Sequence, residues 1–227
     1  MKLKNRFLHV GAISLLLALA SCGGNNQQKG NNQGTMPAEH GSMSAQSHQG
    51  ASENMHQQHN SLANNFEHQD IVILDQVYPL SETTTKEMEQ VVEAYLQIKG
   101  ALISEDESAL NKAANQMAEK VAAVVPTKLE GTGLEAWKNH QSLYEQKLKE
   151  MQHIKGLDNK RSYFSHLSEI VYCTIKSFGL KQGKLYAIFC PMAFEGKGAY
   201  WISDSKIIQN PYLGKKMPTC GEIKEEL

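Results

Sequence analysis

Apolar residues return every three or four positions through the middle of the chain. Met88, Val91, Val92, Tyr95, Ile98 and Leu102 form one stripe, behind a Ser81/Thr83/Thr84 cap region with Glu87 and Glu89 expected in the first turn. Leu110, Ala113, Ala114, Met117, Val121 and Val124 form a second, with Asp106 placed to cap it and Pro126 to stop it. A third runs from about Leu134 through Trp137, Leu143, Tyr144, Leu148, Met151 and Ile154 to Gly156. The fourth begins after Asp158, carries Phe164, Leu167, Ile170, Val171, Ile175 and Phe178, and stops at Gly179. Four such stripes with short connections predict a mainly α protein, an antiparallel four-helix bundle that buries its apolar faces together. Methionines and aromatics on the stripes are read as core fillers.

Beyond Gly179 the period shortens. Leu185–Cys190 and Ala199–Ser203 are β-prone runs separated by a loop containing Gly196-Lys197-Gly198, which predicts a small hairpin. The rest, from Asn210-Pro211-Tyr212-Leu213-Gly214 to Met217-Pro218-Thr219-Cys220-Gly221, is turn chemistry: an irregular extension rich in Cys and Met. Before the helices, Ile71–Leu74 is a short apolar run in a connector.

The amino-terminal part has no such pattern. Residues 1–21 read as a lipoprotein signal peptide, with a cationic start at Lys2, Lys4 and Arg6 and an apolar stretch from Phe7 to Ala20. Leu19-Ala20-Ser21-Cys22 resembles the bacterial lipobox, making Cys22 the expected lipidation site. Residues 22–68 are rich in Gly, Asn, Gln, Ser and His, with no periodic apolar face. They cannot bury enough apolar surface to offset an ordering cost of about 1–2 kcal/mol per residue, so a disordered tether is expected. The folded domain is placed at 69–227.

Charge narrows the function. Lys and Arg number 23 against 24 Asp and Glu, which excludes the broad cationic face nucleic acid requires. Export would place Cys173, Cys190 and Cys220 in an oxidising compartment, where disulfide and metal readings compete. The tether repeats soft and borderline ligands: Met36, His40, Met43, His48, Met55, His56 and His59. Imidazole suits Cu(II) and thioether suits Cu(I), so this mixture points to copper capture.

A second set lies in the extension. Cys190-Pro191-Met192 and Met217-Pro218-Thr219-Cys220 each carry one thiol and one thioether. Their convergence would match Cu(I), whereas zinc prefers His or thiolate to thioether. A Cys190–Cys220 disulfide is the alternative, closing about 30 residues for ~3–4 kcal/mol in the chain-entropy model. His166 and Cys173, seven apart on the fourth helix, form a weaker candidate pair, and His68 stands where it could join a tether-loaded ion. His140 and His153 lie too far apart along the third helix, about 20 Å, to share one. No phosphate loop, nucleophile elbow or His-Glu-x-x-His helix occurs, so no enzyme is expected.

Cys190-Pro191-Met192-Ala193, Gly198–Ser203, Asn210–Gly214, Met217 and Cys220-Gly221 together resemble the signature of domain of unknown function 3347. The resemblance covers roughly residues 86–224. It implies a helical domain associated with copper handling, found as Gram-negative lipoproteins and fused to adaptors of heavy-metal efflux pumps, with Cys190, Met192, Met217 and Cys220 as the matching ligands. The expected function is therefore a lipid-anchored periplasmic copper-binding protein of homeostasis or resistance, at the outer rather than the inner membrane. Its partners would be the metal, the membrane through the lipid, and an efflux adaptor or metallochaperone. The alternative is a metal-independent, disulfide-stapled module docking on such an adaptor or another envelope partner. A small-molecule carrier using the bundle interior is a third and weaker possibility.

Overall fold

The computed structural model describes residues 62–181 and 183–227. Four helices, α1 (Glu82–Ser104), α2 (Glu107–Ala123), α3 (Gly131–His153) and α4 (Leu157–Phe178), are followed by strands β1 (Tyr186–Cys190), β2 (Ala199–Ser203) and β3 (Glu222–Glu226). The fold is mainly α with a small antiparallel sheet. Among the described residues no helix is long and apolar enough to cross a membrane.

The helix ends follow local chemistry. Ser81 Oγ accepts the Thr84 N–H at 3.2 Å, and Asp106 Oδ1 accepts the Ala109 N–H at 2.9 Å, each satisfying a first-turn donor. Gly179 closes α4 in the left-handed region, φ 60°. Several boundaries differ from expectation: α1 opens at Glu82, which leaves Glu87 and Glu89 beyond its first turn, and α3 ends at His153 rather than Gly156. Helix α3 starts three residues earlier, at Gly131, and α4 is capped at Gly156 rather than opened after Asp158. The Asp158 carboxylate is in the first turn of α4 and pairs with Arg161.

Helix α1 packs on α2, α2 on α3, α3 on α4, and α4 on α1 and β2. The predicted stripes meet in one core, where Met88, Val92, Ile98, Leu110, Met117, Trp137, Leu148, Phe164 and Ile170 are wholly buried. Tyr95 ties the layers together: its hydroxyl lies 2.7 Å from Ser168 Oγ on α4 and accepts the Ile202 N–H of β2 at 3.0 Å.

The tail is more regular than its turn chemistry predicts. Strand β3 pairs antiparallel with the free edge of β1, so the expected hairpin is a three-stranded sheet in the order β2-β1-β3. Glu-Ile-Lys-Glu-Glu offers no apolar alternation because all its side chains but that of Glu225 are exposed on an edge, where charge also discourages pairing with other chains. Its anchors are distant: Tyr172 donates its hydroxyl to Glu225 at 2.7 Å, and Lys176 pairs with the same carboxylate at 2.7 Å.

A second correction concerns the tether boundary. Leu62–His68, assigned to the tether, packs on α4 instead and begins a strap that continues to Leu80. The strap has little regular structure, so side chains satisfy its backbone. Glu169 accepts the N–H groups of Glu67 and His68 (3.1 and 3.2 Å), Asn139 Oδ1 accepts that of Val72 (3.0 Å), and Ser177 Oγ accepts that of Leu74 (3.1 Å). His140 Nε2 donates to the Val72 carbonyl at 2.5 Å. Phe66 is the apolar anchor, its ring 5.1 Å from Tyr172 and 5.3 Å from Tyr200.

Candidate metal centre

Cys190 is the last residue of β1 and pairs with Ala199 across the hairpin. Its side chain is fully buried, fixed by a strand that is itself sandwiched between neighbours. The turn that follows is tight. Phe194 and Glu195 both adopt positive φ (49° and 60°), and Gly198, at φ 82°, lets the chain pass so close to the Phe189 ring that a Cβ there would collide with it.

Cys220 is brought to the same place by Asn210. This residue is 1% exposed and spends its whole amide on the tail. Its Nδ2 donates to the Cys220 carbonyl at 2.6 Å, while its Oδ1 accepts the N–H groups of Tyr212 (2.7 Å) and Leu213 (2.8 Å). The Asn210 N–H donates to the Pro218 carbonyl at 2.8 Å. Gly221 completes the approach, since a Cβ on it would lie 2.6 Å from the buried Trp201 ring. Asn210 was visible in the sequence only as the opening of an Asn-Pro-Tyr turn.

The outcome is a contact of 2.7 Å between the sulfurs of Cys190 and Cys220, thirty residues apart and both free thiols. Cys220 is half-buried, and burial followed by the Cys190 neighbour pushes its thiol up, while the Met192 N–H directed at it acts the other way. The Cys220 N–H donates to the Met217 carbonyl at 3.2 Å. Both methionines are thus tied to Cys220 through backbone, and both side chains reach the surface, 54% exposed at Met192 and 43% at Met217. Exposed thioethers on two turns that meet at a dithiol are available to a soft ion in a way that core methionines are not.

Geometry sets a condition on metal binding. Two sulfurs 2.7 Å apart, each at a metal–thiolate distance of ~2.3 Å, would subtend only about 70° at the ion, so holding one requires the pair to open toward roughly 3.8 Å. Cys190 is locked in its strand, which leaves the half-buried Cys220 turn to move.

The remaining candidates are placed elsewhere. Cys173 is inside the helical core, its thiol driven upward by burial and then by Glu169, which opposes formation of a thiolate ligand. His166 does not partner it. The His166 ring stacks on His68 with centroids 3.5 Å apart and planes within 7°, and its Nε2 faces Asp70 Oδ1 at 3.6 Å. His68 Nδ1 is held by Glu169 at 2.7 Å. Met36, His40, Met43, His48, Met55, His56, His59 and Cys22 lie outside the described residues. Among the described residues no group of three or more His, Cys, Asp or Glu side chains converges as a ready-made ion cage.

Fold and site together define a helical domain with a small carboxyl-terminal sheet, on which a dithiol flanked by exposed methionines is assembled from two separate turns. Residues 91–183 match the model of the family described as Protein of unknown function (DUF3347). This is the family the sequence motifs resemble. The match spans most of α1 and all of α2 to α4, and ends before Cys190, so it covers the scaffold and leaves the dithiol outside. No curated protein and no solved structure matches the chain.

Proposed function

We propose that the chain is a lipid-anchored copper-binding protein of the cell envelope, facing the periplasm from the outer membrane, in which Cys190, Cys220, Met192 and Met217 hold Cu(I). The observation that carries this reading is the meeting of the two thiols at 2.7 Å, between turns whose methionines are both exposed. Thiolate and thioether are soft donors, and Cu(I) accepts them at low coordination number. The His/Met tether would collect ions and deliver them to this site, with an efflux adaptor or metallochaperone as the next carrier. The helices serve as its rigid base: their pairwise contacts run α1–α2–α3–α4–α1, the neighbour relations of an antiparallel bundle.

Anaerobic Cu(I) titration against a competing chelator tests the assignment. The Cys190→Ser/Cys220→Ser chain should lose the tightest equivalent, and Met192→Leu/Met217→Leu should weaken it. Equal affinity and stoichiometry in all three chains would reject the site.

The same distance favours a second reading. The sulfurs need to approach by only ~0.7 Å to reach the length of a disulfide, so the extension could serve as an oxidised staple for a docking module without metal. Counting free thiols in protein isolated without reductant separates the two: three correspond to the ligand state and one to the staple.

A further inference from the structure

A different feature stands at the other end of the described chain, where the strap crosses α4. His166 is 4% exposed, and its Nε2 is a buried nitrogen with no hydrogen-bond partner. Leaving such an atom unsatisfied costs about 1–3 kcal/mol, so its orientation calls for a reason. It faces the carboxylate of Asp70 at 3.6 Å, too far for a hydrogen bond. That separation is, however, what two ligands of one ion require. With metal–nitrogen and metal–oxygen distances of ~2.1 Å, an N···O span of 3.6 Å gives an angle near 120° at the metal.

The surroundings are arranged accordingly. Asp70 is anchored through its backbone carbonyl, which accepts from Asn139 Nδ2 at 3.2 Å, while its side chain is 57% exposed and free to adjust. His68 covers one face of the His166 ring and is itself oriented by Glu169. Lys147, a second positive group acting on His166 after His68, is paired with Glu150 at 2.9 Å. Solvent reaches the pair from the side of Asp70, whose carboxylate is exposed.

We infer that His166 Nε2 and the Asp70 carboxylate are the two protein ligands of a divalent-ion site of borderline character, suited to Zn(II) or Cu(II), at the root of the amino-terminal tether. Two protein donors leave the other positions to water, which makes the site a point of exchange rather than storage. Burial and the His68 neighbour hold the His166 pKa down to about 4, so the imidazole is neutral and has a lone pair to give at neutral pH. The inference stands apart from the Cys190–Cys220 reading, because it uses different residues and a harder ion.

The test is residue-resolved nitrogen NMR of the histidine rings in the full chain during Zn(II) titration. The His166 Nε2 resonance should shift on binding, and Asp70→Asn, at an exposed position that leaves packing intact, should weaken that response about tenfold or more. The Cys190→Ser/Cys220→Ser chain should respond as the natural one does. If the tether histidines shift and His166 does not, the site is overturned. An undiminished His166 shift in Asp70→Asn overturns the ligand pair.

Discussion

The side-chain amide of Asn210 donates to the carbonyl of Cys220 at 2.6 Å, although neither residue belongs to a helix or strand. This bond and the three others of Asn210 position the second thiol of the dithiol. Asn210→Ala would strip their side-chain partner from the buried Tyr212 N–H and from the partly buried Leu213 N–H and Cys220 carbonyl, and should cost at least about 2 kcal/mol. Urea unfolding measures the loss. Cu(I) affinity should fall with it, even though no ligand is altered.

Gly221→Ala places a methyl against the rigid ring of Trp201 and should destabilise by about 1–3 kcal/mol through overpacking. The Cys220 turn would be pushed outward. Slower formation of the Cys190–Cys220 bridge under mild oxidant, followed by mass spectrometry, is the expected signature.

Phe66→Ala should release the strap without unfolding the helices. The ring sits edge-on to Tyr172 and tilted against Tyr200, and its removal should cost about 3 kcal/mol locally. Hydrogen exchange should accelerate at residues 62–74 while α1 to α4 keep their protection.

Acidification should destabilise the fold. Burial lowers the pKa of both His140 and His166 to about 4 from an ordinary 6.5. The unfolded chain therefore binds more protons between those values, and stability falls as pH drops from about 6.5 toward 4. His68 opposes the trend, since its bond to Glu169 raises its pKa and its contribution is fully present at low pH. Two lowered groups against one raised group leave a net loss, on the order of 2 kcal/mol by pH 4.5 from His140 alone. Thermal melts at pH 7 and 4.5 should show the decline, and His140→Gln should reduce it.

Several features were readable locally. Ser81 and Asp106 cap helices because their oxygens need only reach an N–H three residues on, and Gly179 stops one because it tolerates positive φ. The four core stripes follow from the helical period, and the hairpin of β1 and β2 follows from two β-prone runs joined by a glycine-containing loop. Those signals span a few residues and need no knowledge of the rest of the molecule.

Other features depend on partners far along the chain. His68 acquires its meaning from Glu169 and His166, about a hundred residues away, and β3 exists because β1 left an edge open to it. The sequence alone determined which residues could serve as helix, strand or soft ligand, because propensity and donor chemistry are properties of single side chains and their near neighbours. Only the tertiary structure decided which of them meet: the two thiols, the strap and its side-chain clamps, the histidine beside Asp70. Such meetings are set by how helices and sheet pack in three dimensions, and local pattern carries no record of that packing.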